Sequence, residues 1–105
     1  VTIPIRVEPE ADDELVAAFE WYEARRPGLG QDFVDAVDEA MARLAELPGA
    51  STPVPGVPRD VPARRVFVKR FPYTVVFLPF DHELVVLAFA HMKRSPGYWL
   101  ARVRH

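Results

Sequence analysis

Five of the eleven prolines in this chain fall between positions 48 and 62. A segment so dense in proline is neither an interior helix nor a central strand, because each ring fixes φ and removes a backbone donor. The chain is thereby split into two parts that fold by different rules. Prolines 48, 53, 55, 58 and 62 read as a surface loop or semi-rigid connector inside one domain, since no repeat or low-complexity tract marks a second. A chain of 105 residues is itself the size of a single domain, expected over 1–105, with room for one core.

Before the connector the apolar residues keep helical spacing. Leu15, Ala18, Phe19 and Tyr22 fall on one stripe, with Trp21 off it, and Phe33, Val37, Ala40, Met41, Leu44 and Leu47 form another. Pro9 suits an early helical position, and acids at 10, 12, 13 and 14 favour the positive end of a helix dipole. Arg26-Pro27-Gly28-Leu29-Gly30 breaks the run, which predicts a helical hairpin whose second arm spans about 31–47. Ahead of it, residues 2–8 alternate like a half-buried strand, and Pro4 places that strand at an edge.

After the connector, Arg64–Arg70, Tyr73–Leu78 and 83–91 are rich in Val, Phe and Tyr and are joined by short turns, which predicts an antiparallel meander. Period-two geometry groups Arg65, Phe67 and Lys69 on one face of the first of these strands, and Val85, Leu87, Phe89 and His91 on one face of the last, with at most one face forming the dry core. Tyr98–His105 adds a short helical turn or a tail. The order is β-αα-βββ: an α+β, two-layer domain with its N-terminal helical hairpin packed on an antiparallel sheet.

Charge is segregated along the chain. Residues 1–58 carry 4 basic and 12 acidic side chains, whereas 59–105 carry 9 basic and 3 acidic, so a net −2 hides a C-terminal half of +6. Such a half suits an anionic partner. There is no cysteine, which removes disulfides, thiolate nucleophiles and thiolate metal sites, and fits a reducing cytoplasm. No stretch approaches the ~20 apolar residues of a membrane span, and the first residues lack the pattern of an export signal. The expectation is a cytoplasmic protein with no membrane partner. No Gly-rich phosphate loop, HExxH or GxSxG occurs, and His82, His91 and His105 lack companions at metal-ligand spacing. Neither a metal nor another cofactor is expected.

Four blocks in order, Ala18-Phe19-Glu20-Trp21-Tyr22-Glu23, Pro27-Gly28-Leu29-Gly30 with Phe33, Arg65 leading to Phe71-Pro72-Tyr73, and Ala90-His91-x-x-Arg94-x-Pro96-x-Tyr98-Trp99, span about 80 residues. In these blocks the chain resembles the RelE/ParE toxin superfamily, in its plasmid-stabilisation branch. The resemblance implies the toxin of a type II toxin–antitoxin pair, neutralised by a cognate antitoxin protein and reaching operator DNA only through that antitoxin.

Two chemistries occur among such toxins. RelE-like members cleave mRNA, commonly on the ribosome, while ParE-like members bind DNA gyrase and poison it without cutting RNA. For cleavage, the resemblance assigns Arg65, Arg70 and Arg94 to phosphate or transition-state stabilisation and His91 with Tyr98 to proton transfer. The RNA supplies its own 2′-hydroxyl nucleophile and arginine the charge, so the reaction would be metal-independent. A tyrosine at its ordinary pKa near ~10 is a poor base at neutral pH, so the arginines must lower it or His91 must serve. The joint occurrence of His91, Arg94 and Tyr98 tips the reading to metal-independent mRNA cleavage, with gyrase poisoning as the alternative. The net negative charge and the scarcity of lysine favour gyrase, and a lapsed toxin that only binds its antitoxin is the third reading. Tyr22 reads as core and Trp21, about 100° around the helix, as an exposed interface residue.

Overall fold

In the computed structural model, which describes residues 2–103, the chain forms β1 (Ile5–Val7), α1 (Pro9–Arg25), α2 (Leu29–Glu46), β2 (Thr52–Pro53), β3 (Arg64–Phe67), β4 (Tyr73–Pro79) and β5 (Leu84–His91), with single 3-10 turns at Pro48–Ala50 and Leu100–Arg102. Arg104 and His105, counted above among the cations and histidines, lie outside the described residues.

The hairpin follows from its caps. Pro9 occupies the first turn of α1, and the Glu8 carbonyl, in extended backbone, accepts the Asp12 amide at 3.1 Å. Gly28 starts α2 at φ +91°, where a side chain is strained. The Glu23 carboxylate reaches forward to accept the Gly28 and Gly30 amides, both at 2.9 Å, satisfying donors that a helix start leaves open. An ideal Cβ on Gly30 would stand 2.6 Å from the Phe19 carbonyl oxygen, so this glycine is what lets the two helices close.

Phe33, Val37, Ala40 and Leu44 are fully buried and Met41 is half-buried. Leu47 departs from the expected stripe: α2 stops at Glu46, because Pro48 cannot continue a helix, and Leu47 is 65% exposed.

The sheet runs β1-β5-β4-β3-β2. The meander β3-β4-β5 is antiparallel, but β1 joins the free edge of β5 in parallel, which makes the sheet mixed. The edge position suits Pro4, which has no amide to offer but whose carbonyl accepts the Leu84 amide at 2.9 Å. The connector contributes the two-residue β2 against Arg64 and Arg65, an element the proline density hid. β3 ends at Phe67, three residues short of expectation, because the chain reverses through Lys69 and Arg70, the latter at φ +72°. Lys69 and Arg70 are therefore turn residues with no strand face.

Both faces of the sheet are dry, where one was expected. The helices cover Val75, Phe77, Leu84, Val86 and Phe89. The opposite face carries Val76, Leu78, Val85, Leu87 and Ala88 under Val54 and Ala63 of the connector and Trp99, which is 2% exposed. A bulge lies between. Phe77 faces Val86 while Val76 faces Ala88, leaving Leu87 as the extra residue. Leu87 and Ala88 consequently share a face and the alternation inverts, so Phe89 joins Leu84 and Val86 instead of Val85 and Leu87.

Candidate functional site

An open, mainly apolar cleft of about 520 Å³ lies between α1 and the end of β5. Ala17, Ala18, Trp21 and Tyr22 form the helical wall, with Tyr73, Phe89 and His91 on the sheet side and Arg94 and Tyr98 at the rim. Packing fixes the wall: Tyr22 stacks with Phe33, Phe71 and Tyr73 at centroid distances of 5.2, 5.0 and 6.3 Å, and Tyr73 meets the His91 ring edge-on at 5.1 Å. Tyr22 is thus half core and half cleft, while Trp21 is 54% exposed, as its position off the stripe implied.

Glu14 closes one side of the cleft and organises its polar groups. Its carboxylate accepts the Tyr98 hydroxyl at 2.5 Å, the Arg102 guanidinium at 2.8 and 3.3 Å and the Phe89 amide at 3.2 Å. Arg102 also donates to the Leu87 carbonyl at 3.0 Å. β1 pairs with β5 only as far as Val86, so these two side chains serve the edge of β5 that β1 leaves open, including the carbonyl of the bulged residue. Arg94 lies over the Tyr98 ring at 3.7 Å.

The sequence-derived candidates are only partly brought together. His91, Arg94 and Tyr98 line the cleft. Arg65 lies on the far side of this turn, lining a separate 50 Å³ pocket with His91, Arg94 and Tyr98, and its buried Nε has no hydrogen-bond partner. Arg70 lines neither pocket; it extends from its turn toward Asp32, at 3.8 Å. Nδ1 of His91 accepts the Lys93 amide at 3.0 Å, which leaves Nε2 as its available ring nitrogen.

The lowering of the Tyr98 pKa that base catalysis would need does not occur. Burial raises it, and the hydrogen bond to Glu14 and the charge of that carboxylate raise it further, outweighing Arg94 and Arg102. Sequence reasoning missed Glu14 and Arg102. Positions 11, 14 and 18 follow helical spacing, and Ala11 and Ala18 are buried, so an acid on a burying stripe was the available signal.

No group of three or more His, Asp or Glu side chains among the described residues could hold a metal ion. No helix among them is long and apolar enough to cross a membrane.

A helical hairpin on a mixed sheet, with an apolar cleft braced by an internal acid and rimmed by arginine, defines a small two-layer α+β domain. A family model described as the ParE toxin of the type II toxin–antitoxin system parDE matches residues 5–96, and the chain belongs to this family. No curated protein matches. Among solved structures, the chromosomal ParDE TA system from P. aeruginosa superimposes with a TM-score of 0.73 over 88% of this chain and 98% of that chain, at 18% identity. The shared fold bears out the α+β architecture read from the sequence.

Proposed function

We propose that this ParE-family toxin halts growth by binding and poisoning DNA gyrase, without cutting RNA. The observation that carries this reading is the state of Tyr98: its hydroxyl is committed to Glu14 and its pKa is raised. A phenol held protonated beside a carboxylate is no general base at neutral pH, so cleavage would have to rest on His91 alone as its base. The arginines converge only in part: Arg65 and Arg94 share the 50 Å³ pocket with His91 and Tyr98, while Arg70 is directed to Asp32. Family membership supports the same reading.

The cognate antitoxin is proposed to lay an apolar helix or extended segment into the cleft, against Trp21, Tyr22 and Phe89. Acidic side chains of that segment would meet Arg94.

The test is the toxin with purified gyrase and supercoiled plasmid, trapped with detergent, beside pulse labelling of DNA and protein synthesis after induction. The expected result is linear plasmid and an early stop in DNA synthesis, retained by folded Tyr98→Phe. Protein synthesis stopping first, with loss in Tyr98→Phe and His91→Ala, overturns the proposal in favour of mRNA cleavage. No effect on either process marks a lapsed toxin.

A further inference from the structure

The charge asymmetry along the sequence is not the asymmetry in space. Three turns meet at the end of the molecule where β5 stops: the α1–α2 turn, the β3–β4 turn and the turn after His91. Each brings two exposed cations, Arg25 with Arg26, Lys69 with Arg70, and Lys93 with Arg94. The first pair comes from the acidic half of the chain.

Contacts tie the turns together. Arg26 and Arg70 reach the same Asp32 oxygen, each at 3.8 Å. Arg25 lies 4.0 Å over the ring of Trp21, which lines the cleft that Arg94 rims.

Three of the carboxylates here, those of Glu23, Asp32 and Glu39, are already engaged. Glu23 is held by the Gly28 and Gly30 amides. Asp32 is shared between two guanidiniums, which leaves one cationic charge over. Glu39 takes Lys69 at 3.1 Å and Arg43 at 2.8 Å, and Lys69 foremost holds its carboxyl below the ordinary range. Glu20 is a further exposed acid on α1, about a turn before its end. Among the described residues Arg25, Lys93 and Arg94 have no carboxylate partner.

We propose that this three-turn end docks on the phosphate backbone of duplex DNA, so that the toxin grips the DNA that gyrase holds as well as the enzyme. The choice of DNA rests on the gyrase reading; the surface itself rests on the placement of the cations. Duplex DNA presents a charge every ~1.7 Å along its axis, and exposed cations on three adjoining turns suit such a row. Recognition of single strands works by stacking bases on free aromatic faces, whereas one face of Trp21 is occupied by Arg25. The contact is to phosphates and independent of sequence, since no helix projects from this end to enter a groove.

The experiment is fluorescence anisotropy of the full chain with a labelled DNA duplex of about 30 base pairs, across a salt series. At about −0.9 per phosphate neutralised, three to four contacts give a slope of log K against log salt near −3. The double variant Arg25→Gln/Lys93→Gln is expected to lose about two units of that slope. The charge-matched control Arg6→Gln/Arg59→Gln is expected to lose less than about half a unit, since neither residue belongs to the three turns. Circular dichroism confirms that each variant is folded. A double variant that behaves like the control overturns the proposal, as does tighter binding to an RNA strand of equal length or a wild type without salt-dependent binding. The gyrase assay run beside it separates the two claims. Plasmid linearisation without the salt slope removes the DNA surface alone, and the slope without linearisation removes the gyrase reading while leaving the surface.

Discussion

Replacing Glu14 with glutamine keeps the shape of the side chain and removes its charge. The carboxylate and the Arg102 guanidinium are only 17% and 18% exposed, so solvent screens their interaction little. Glutamine keeps one acceptor oxygen, which can stay with the Phe89 amide and one Arg102 nitrogen. Its amide nitrogen then faces the second Arg102 nitrogen, donor against donor, while the Tyr98 hydroxyl, which can turn to accept, keeps only a neutral hydrogen bond in place of a charge-assisted one. Two charge-assisted hydrogen bonds at roughly 1.5–3 kcal/mol each are at stake, and partial rearrangement brings the expected cost to about 2–3 kcal/mol. With a urea slope of roughly 1–3 kcal/mol/M for a small domain, the unfolding midpoint falls by about 1–2 M. Tyr98→Phe, which deletes one donor, costs about 1–2 kcal/mol. Because both changes strike one hydrogen bond, the double variant is less destabilised than the sum, with a coupling of about 1 kcal/mol. A Glu14→Gln midpoint within 0.3 M of wild type, or a cycle that closes additively, would refute the claim that this acid braces the C-terminal segment against α1.

Gly30→Ala is expected to cost about 1–3 kcal/mol in the same urea assay, because its Cβ meets backbone oxygen of Phe19, which has no rotamer to yield. Trp99→Ala leaves a cavity beneath the connector and is expected to cost about 3–5 kcal/mol, with a chain that stays folded but binds hydrophobic dyes. Tyr22, Tyr73 and Tyr98 all have raised pKa values, burial being the largest cause for each. The rise of tyrosine absorbance at 295 nm is therefore expected to have its midpoint above pH 10 in the folded protein. Raised folded values mean that the unfolded chain releases its phenol protons first, so this stability is complete below about pH 10 and is lost as pH rises above it. Ionisation of all three near pH 10 without unfolding would contradict their burial.

The helices were legible because a 3.6-residue period is written directly into the positions of Phe33, Val37, Ala40 and Leu44. Their ends were legible where proline or glycine marks them, and Leu47 was misplaced because it keeps the period one residue beyond the helix. The strands were less so. Residues 84–90 are all apolar, so nothing in them locates the bulge at Leu87 or shows that Phe89 changes face. The turn at Arg70 carries a positive φ without a glycine to announce it. The burial of the second sheet face depends on Val54, Ala63 and Trp99, three residues that share no period. Likewise the sequence marks His91, Arg94 and Tyr98 as neighbours, but the partner that decides the state of Tyr98 lies 84 residues upstream.

Covering both sheet faces has a consequence for where a partner can act. The open edge of β5 is served by Glu14 and Arg102, and at the opposite margin β2 is two residues long and contains Pro53, which blunts strand addition there. The cleft and the three cationic turns adjoin each other, sharing Trp21, against which Arg25 stacks, and Arg94. An antitoxin segment seated in the cleft therefore occupies part of the surface proposed to meet DNA, and its acidic side chains compete for the same cations. On this geometry neutralisation is occlusion and needs no change in the toxin's fold. It follows that Trp21→Ala, on an exposed position, is expected to weaken antitoxin binding while leaving the unfolding free energy within about 0.5 kcal/mol of wild type. Calorimetric titration with the antitoxin checks this, and unchanged affinity would place the docking surface away from the cleft.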